Sequence, residues 1–176
     1  MNGIILYQSK YGATKKYADW LSIETGFECV ETKKVSIKEV EKYDIVVFGG
    51  GLYASGIAGL SFLKKNIDKL HKKKIIVFFC CASPYDETAM EQIRSHNMKD
   101  KLSDIPIFYC RGAWDMDSMS FKDRTLCNLL RKAIAKKDPA DYEIWEKAIM
   151  EAGESKCDWT DVKYIEPILE CIKRYC

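Results

Sequence analysis

The sequence predicts an α/β protein built on one doubly wound parallel sheet with helices on both faces. Three observations support this prediction. Short apolar segments alternate with helical patterns at intervals of a few tens of residues, as in chains of β-α-β units. The third to fifth segments are apolar almost throughout, which is typical of strands buried on both faces of a parallel sheet. Right-handed crossovers between such strands produce a doubly wound sheet.

Five strands and three framework helices follow from these patterns. The strands are predicted at residues 3–8, 27–35, 44–48, 75–81 and 107–110. A helix at 12–25 presents one face and ends at Gly26; the residues of that face are Tyr17, Trp20, Leu21 and Glu24. A second helical face consists of Leu60, Leu63, Ile67 and Leu70, and a final helix at 162–174 presents Ile165, Ile168, Leu169 and Ile172.

A long insertion, at about residues 111–160, separates the fifth strand from the final helix. We predict two helices in it, divided at Asp138-Pro139. The first carries an apolar stripe of Leu126, Leu129, Leu130, Ala133 and Ile134. Insertions at the carboxyl end of a strand often carry the function of such folds.

Length and composition indicate a single domain over residues 1–176. The chain is 47% hydrophobic and 31% charged, with a formal net charge of +2. One core of this size fits one domain, and the charge is too small to indicate a nucleic-acid partner. Met1 leads directly into the first strand without a leader pattern, and no apolar run approaches the ~20 residues of a membrane span. We therefore expect a cytoplasmic protein.

The chain has eight cysteines: Cys29, Cys80, Cys81, Cys110, Cys127, Cys157, Cys171 and Cys176. None forms Cys-x-x-Cys, and no histidine lies at zinc-finger spacing. Buried free thiols are the expected state in a reducing cytosol. Surface positions are expected for His71 and His96, and no metal site is predicted.

A polar loop at residues 9–14 joins the first strand to the first helix. Free N–H groups at a helix start, together with the helix dipole, bind phosphate well. Ser9 and Thr14 add hydroxyls, Gly12 allows close approach, and positive charge comes from Lys10, Lys15 and Lys16. Neither nucleotide-binding glycine motif is present, so the loop suits a monophosphate. A simple surface turn is the alternative.

Three further loops follow strands whose carboxyl ends should meet at one edge of the sheet. They cover residues 49–56, 81–86 and 111–114, and combine small residues with aromatic ones suited to a planar ring. The candidate ring-binding residues are Gly51, Leu52, Tyr53, Ala54, Ser55, Gly56, Ala82, Ser83, Pro84, Tyr85, Gly112 and Trp114.

On these loops the chain resembles the flavodoxin-like family, in which a hydroxyl residue, a glycine and a threonine mark the phosphate loop. The resemblance implies strand order 2-1-3-4-5 with the insertion after strand five, and FMN as cofactor. The phosphate-loop residues would be Ser9, Lys10, Tyr11, Gly12, Ala13 and Thr14. Tyr11 stands where the family usually has a small hydroxyl residue. Residues 43–57, 111–124 and 159–172 are most similar to the menaquinone-dependent protoporphyrinogen dehydrogenase group.

Three functions remain open at this stage. The first is an FMN-dependent oxidoreductase that passes reducing equivalents from an organic donor, such as a porphyrinogen, to a quinone. The second is a flavodoxin-type carrier with protein redox partners, and the third is a protein that has lost the cofactor. A basic helix could meet a membrane surface or an anionic substrate; its cations are Lys122, Arg124, Arg131, Lys132, Lys136 and Lys137. Tryptophans in the insertion could instead form a homodimer contact.

Overall fold

The computed structural model describes residues 2–175. Its central sheet contains β1 (Gly3–Gln8), β2 (Glu28–Glu31), β3 (Ile45–Tyr53), β4 (Gly56–Ile57), β5 (Lys74–Cys81) and β6 (Ile107–Arg111). The order is β2-β1-β3-β5-β6, with β4 paired antiparallel to β3 beside this path. The pairs along the path are all parallel. Order 2-1-3-4-5 for the five predicted strands is therefore confirmed.

Seven α-helices are present among the described residues: α1 (Ala13–Thr25), α2 (Ile37–Val40), α3 (Ser61–Asn66), α4 (Glu87–Asn97), α5 (Phe121–Ile134), α6 (Ile144–Ala152) and α7 (Glu166–Lys173). Side chains of α3, such as Leu63, join a core on one face of the sheet. Side chains of α1 and α7, such as Leu21 and Ile168, join a core on the other. The predicted three-layer arrangement is thus confirmed, and both cores are apolar as burial requires.

Several predicted boundaries were wrong. Strand three does not end at residue 48, because β3 continues through all three glycines to Tyr53. At Gly50 a Cβ atom would lie 2.4 Å from the Ala58 carbonyl oxygen, so glycine allows the returning chain to pack directly on the strand. The second strand is shorter than predicted, since a 3₁₀ turn at Thr32–Lys34 follows β2.

The helical predictions also needed adjustment. The first helix begins at Ala13 rather than Gly12, and Gly26 ends it with φ 71°, as predicted. Glu24 is exposed and does not belong to the buried face of α1. The predicted final helix is a 3₁₀ turn at Val162–Ile165 followed by α7, with Pro167 near the start of α7, where its missing N–H costs no hydrogen bond.

The insertion forms its own small core beside the sheet. Two short strands, β7 (Ala113–Trp114) and β8 (Cys157–Asp158), pair antiparallel where the chain leaves and rejoins the sheet, and the sequence did not predict them. Trp114, Met116 and Ala152 are buried together. The Lys137 ammonium donates to the Glu146 carboxylate at 2.5 Å, which ties the end of α5 to α6.

The seven cysteines that the structure describes are free thiols. Cys80 and Cys110 are buried, while the other five are half-buried; Cys176 lies outside the described residues. His71 and His96 are exposed, as predicted. Within residues 2–175, no helix is both long enough and apolar enough to cross a membrane.

Candidate functional site

The loop after β1 forms a cradle at the start of α1. Gly12 has φ 95°, a conformation that favours glycine, and its N–H donates to the Ser9 hydroxyl oxygen at 3.0 Å. The first internal bond of α1 joins the Lys16 N–H to the Gly12 carbonyl at 2.9 Å. The N–H groups of Ala13 and Thr14 precede that bond and remain available at the helix start. The structure therefore places backbone donors where the sequence predicted them.

A carboxylate from the insertion lies against this cradle. Asp123, in the first turn of α5, accepts hydrogen bonds from the Lys10 ammonium and from the Tyr11 hydroxyl. These contacts, the one with Lys10 first, hold the pKa of Asp123 below its ordinary value. The Tyr11 hydroxyl oxygen also accepts from the Ser120 N–H at 3.4 Å. Tyr11, the unusual residue of the loop, therefore contacts the insertion.

The predicted second loop is a tight hairpin. Ala54 and Ser55 form its turn with φ 46° and 66°, and Tyr53 pairs with Gly56 across it. Asn97, at the end of α4, fixes this hairpin: its amide donates to the Ser55 carbonyl at 2.7 Å, and its side-chain oxygen accepts from the N–H of Ile57 at 2.9 Å. Since Asn97 is buried, these bonds also satisfy its polar atoms.

Tyr53 connects the hairpin to the phosphate loop. Its ring meets the Tyr11 ring edge to face, with centroids 6.4 Å apart. Burial is the main cause of the raised pKa of Tyr53. Loops one and two are therefore in contact, as their positions at the carboxyl ends of neighbouring strands predicted.

The third loop, after β5, is held by a tyrosine from β6. The Tyr109 hydroxyl donates to the Ser83 carbonyl at 2.6 Å, and the Tyr109 ring packs against Tyr85 with centroids 5.6 Å apart. Tyr85 itself is 58% exposed. Burial raises the pKa of Tyr109 well above its ordinary value, so the hydroxyl remains protonated and continues to donate. Tyr85 is the most accessible ring among the predicted aromatic residues.

The fourth loop brings the end of β6 to the cradle. Gly112 donates its N–H to the Cys81 carbonyl at 2.7 Å, and a Cβ atom on it would lie 3.7 Å from the Ala13 Cβ. Trp114, one of the predicted ring-binding residues, packs in the core of the insertion and donates from Nε1 to the Gly153 carbonyl at 3.1 Å. This bond anchors the start of the insertion to the end of α6.

A cavity of about 770 Å³ lies between these loops, α4 and the insertion. Eight of the predicted ring-binding residues line it: Leu52, Ala54, Ser55, Ala82, Ser83, Pro84, Tyr85 and Trp114. The insertion adds a wall that includes Leu130, Trp145 and Ile149, and His96 lies at the α4 side. Gly51, Tyr53, Gly56, Gly112 and the phosphate loop are not part of the lining. Tyr53, which packs against Tyr11, and Gly112, which bonds to Cys81 of the lining, connect the phosphate loop to the cavity. A cavity of this size and apolar character suits a planar organic group.

Sequence reasoning missed four residues of this region: Asn97, Tyr109, Asp123 and Trp145. Tyr109 lies inside a predicted strand. Its contact with the third loop depends on the register of β5 and β6, which the sequence does not give. Asp123 reaches Lys10 across 113 positions of sequence. Local spacing contains no signal for contacts of this kind.

Comparison with known proteins places this architecture. A family model described as a flavodoxin domain matches residues 4–143. An uncharacterized protein of Methanocaldococcus jannaschii is 29% identical over 116 residues, which are 64% of this chain and 76% of that protein. The solution structure of Megasphaera elsdenii flavodoxin has 16% identity, covers 61% of this chain and 82% of its own, and superimposes with a TM-score of 0.46.

A Fusobacterium nucleatum flavodoxin bound to flavin mononucleotide has 14% identity, covers 66% of this chain and 71% of its own, and gives a TM-score of 0.34. The family match is the firm result among these comparisons, since it spans both the strand order described above and the loops around the cavity. The chain belongs to the flavodoxin domain family.

Proposed function

We propose that this protein binds FMN between the cradle and the cavity, and passes reducing equivalents from an organic donor to a quinone. The observation that carries the proposal is the convergence of four loops at one edge of the sheet, with helix-start donors beside an aromatic-lined cavity. The domain family supports an FMN-binding redox protein. The quinone acceptor and a porphyrinogen-like donor are the finer part of the proposal.

The donor set at the cradle fits a phosphate monoester. The N–H groups of Ala13 and Thr14 lie at the positive end of the α1 dipole. Thr14 is buried beside them, with 2% of its surface exposed. Lys10 supplies a cation whose present partner is Asp123. Phosphate binding would therefore draw Lys10 away from Asp123, or share it.

The cavity fits the ring that such a phosphate would carry. Tyr85 offers an exposed aromatic face, and the Tyr109 hydroxyl holds the loop that presents it. FMN supplies two-electron redox chemistry, which side chains cannot supply. The task of this chain is then to bind the ring, exclude water through the insertion wall and leave room for a second planar molecule. The aromatic lining of Trp114 and Trp145 suits a quinone.

FMN binding can be tested by fluorescence titration of the purified protein. Thr14→Val removes one hydroxyl donor at the cradle, so we expect about fivefold weaker binding, or roughly 1 kcal/mol. Thr25→Val is the matched control, because its hydroxyl donates to Leu21 at the opposite end of α1. Absence of FMN binding by the purified protein would refute the proposal. Equal FMN affinities of the two variants would show that the Thr14 hydroxyl, and with it the cradle, does not hold the phosphate.

The redox step requires a separate experiment. The FMN-loaded protein is reduced without oxygen and mixed with a water-soluble menaquinone analogue. We expect reoxidation faster than that of free reduced FMN. A rate equal to that of free FMN would exclude the quinone step while leaving FMN binding intact. Rapid reduction of cytochrome c in the same assay, with a slow quinone reaction, would instead favour a carrier with protein partners. Anaerobic addition of protoporphyrinogen tests the donor.

A further inference from the structure

Helix α5 carries an apolar surface that no other described element covers. The stripe predicted from the sequence is helical, but only Ile134 of its members is buried. Leu126 is 56% exposed, Leu129 is 60% exposed and Leu130 is 39% exposed. We call the set of Leu126, Leu129, Leu130 and Ala133 the α5 stripe. Side chains spaced in this way lie on one face of a helix, so the stripe is a continuous apolar strip at the protein surface.

The stripe is bordered by cations. Lys122 lies one turn before Leu126, Lys132 lies in the last turn of α5, and Lys136 lies in the turn that follows the helix. All three are exposed, and none forms an ion pair with a residue between 2 and 175. The acidic residue of α5, Asp123, is directed to the phosphate loop instead. The outward face of the helix is therefore apolar and positively charged.

We propose that the α5 stripe docks on an anionic membrane surface. Leucines with flanking lysines are the composition of helices that lie in the plane of a bilayer interface, and anionic headgroups complement the three lysines. A second copy of this chain fits less well: in a twofold antiparallel contact, Lys122 of one copy would lie near Lys136 of the other. The charges thus favour lipid over self-association.

The position of the stripe gives the docking a consequence for the cavity. Leu130 belongs to the stripe and also lines the cavity wall. A bilayer surface at the stripe would therefore lie beside the cavity, so an apolar molecule that leaves the lipid could enter the cavity directly. The docking itself does not depend on FMN, so it can be tested without assuming the redox function.

The test is co-sedimentation of the full chain with vesicles. We expect tighter binding to vesicles of equal parts phosphatidylglycerol and phosphatidylcholine than to phosphatidylcholine alone, by about fivefold for each lysine near the surface. Leu126→Gln/Leu129→Gln should weaken binding at least about tenfold. Ile23→Gln on α1 is the control, because Ile23 is more accessible than either leucine, at 76% exposure, and lies on another helix.

Unchanged melting temperatures would show that both variants fold. The proposal is overturned if the full chain does not bind anionic vesicles, or if the double variant binds them as the unmodified protein does. It is also overturned if the unmodified protein forms a concentration-dependent dimer that the double variant abolishes, since the stripe would then belong to a second copy. Loss of binding in the Ile23→Gln variant to the same extent would equally contradict it.

Discussion

The side chain of Tyr17 joins the two ends of the insertion, and Tyr17→Phe tests that role. Tyr17 has no exposed surface. Its hydroxyl donates to the Arg111 carbonyl at 2.6 Å and accepts from the Asp161 N–H at 3.1 Å. Arg111 ends β6, where the chain enters the insertion, and Asp161 precedes α7, where the chain returns. The hydroxyl of Tyr17 on α1 therefore bonds to the chain at both ends of the insertion.

The size of the effect follows from these two bonds. Phenylalanine keeps the ring but leaves one carbonyl and one N–H without their partner. A neutral hydrogen bond contributes about 1 kcal/mol, and a buried group left unpaired costs about 1–3 kcal/mol. Arg111 and Asp161 are half-buried, so water can reach part of the vacated space. We expect a loss of about 2 kcal/mol in the free energy of unfolding, or about 4–8 °C in melting temperature for a domain of this size.

The assay is thermal unfolding followed by circular dichroism, repeated across alkaline pH. Burial raises the pKa of Tyr17 far above its ordinary value of 10.0, so the folded protein keeps this proton while the unfolded chain loses it above pH 10. Stability is therefore lost as pH rises beyond 10, and the Phe variant should lose it less steeply. Tyr43→Phe is the control, because the Tyr43 hydroxyl bonds to an exposed carboxylate. Equal, small losses in the two variants would refute the reasoning.

Three further predictions concern the cradle, the hairpin and the insertion. Asp123→Asn should tighten FMN binding in a fluorescence titration, because it frees Lys10 and removes a negative charge near the phosphate; unchanged or weaker binding would contradict this. Gly50→Ala should lower the melting temperature far more than Gly56→Ala, since the added Cβ would lie 2.4 Å from a backbone oxygen in the first case and 3.5 Å in the second. Glu146→Gln should make stability fall less steeply on acidification below pH 4.5, the ordinary pKa of glutamate. The hydrogen bond from Lys137 lowers the pKa of Glu146, so the stability that the pair contributes is present above pH 4.5 and is lost as the pH falls further. Identical acid unfolding curves would show that the pair contributes nothing.

The fold was predictable because its signals are local. Strands such as Ile75–Cys81 are apolar throughout, and burial on both faces leaves few other structures for them. The errors fall where local chemistry and tertiary contact disagree. Three consecutive glycines predict a loop, but Gly50 lies in a strand because the chain after β4 packs against it. Likewise, the bond from the Trp114 indole N–H to Gly153, 39 positions later, has no signal in the local pattern of residues 111–114.

The candidate site was predictable in outline only. The topology brings the carboxyl ends of neighbouring strands together, which is enough to predict that the loops at Ser9–Thr14 and at Ser83 belong to one region. The groups that hold these loops come from elsewhere: Tyr109 from within a strand and Asn97 from the end of a helix. Their partners are backbone carbonyls and one backbone N–H, groups of the main chain, so no pattern of side chains reveals the pairing.

Helix α5 makes three contacts through different residues, although Leu130 belongs both to the α5 stripe and to the cavity wall. Asp123 holds the phosphate loop, Leu130 lines the cavity, and Leu126 with Leu129 faces outward. If these contacts act independently, Asp123→Asn changes FMN affinity without changing vesicle binding, and the double leucine variant does the reverse. In the variant that combines all three substitutions, the free-energy change of FMN binding, and likewise that of vesicle binding, should equal the sum of the changes in the separate variants to within about 0.5 kcal/mol. A larger departure from this sum would mean that α5 moves as a unit when its contact with the phosphate loop is lost, and that the three contacts cannot be treated separately.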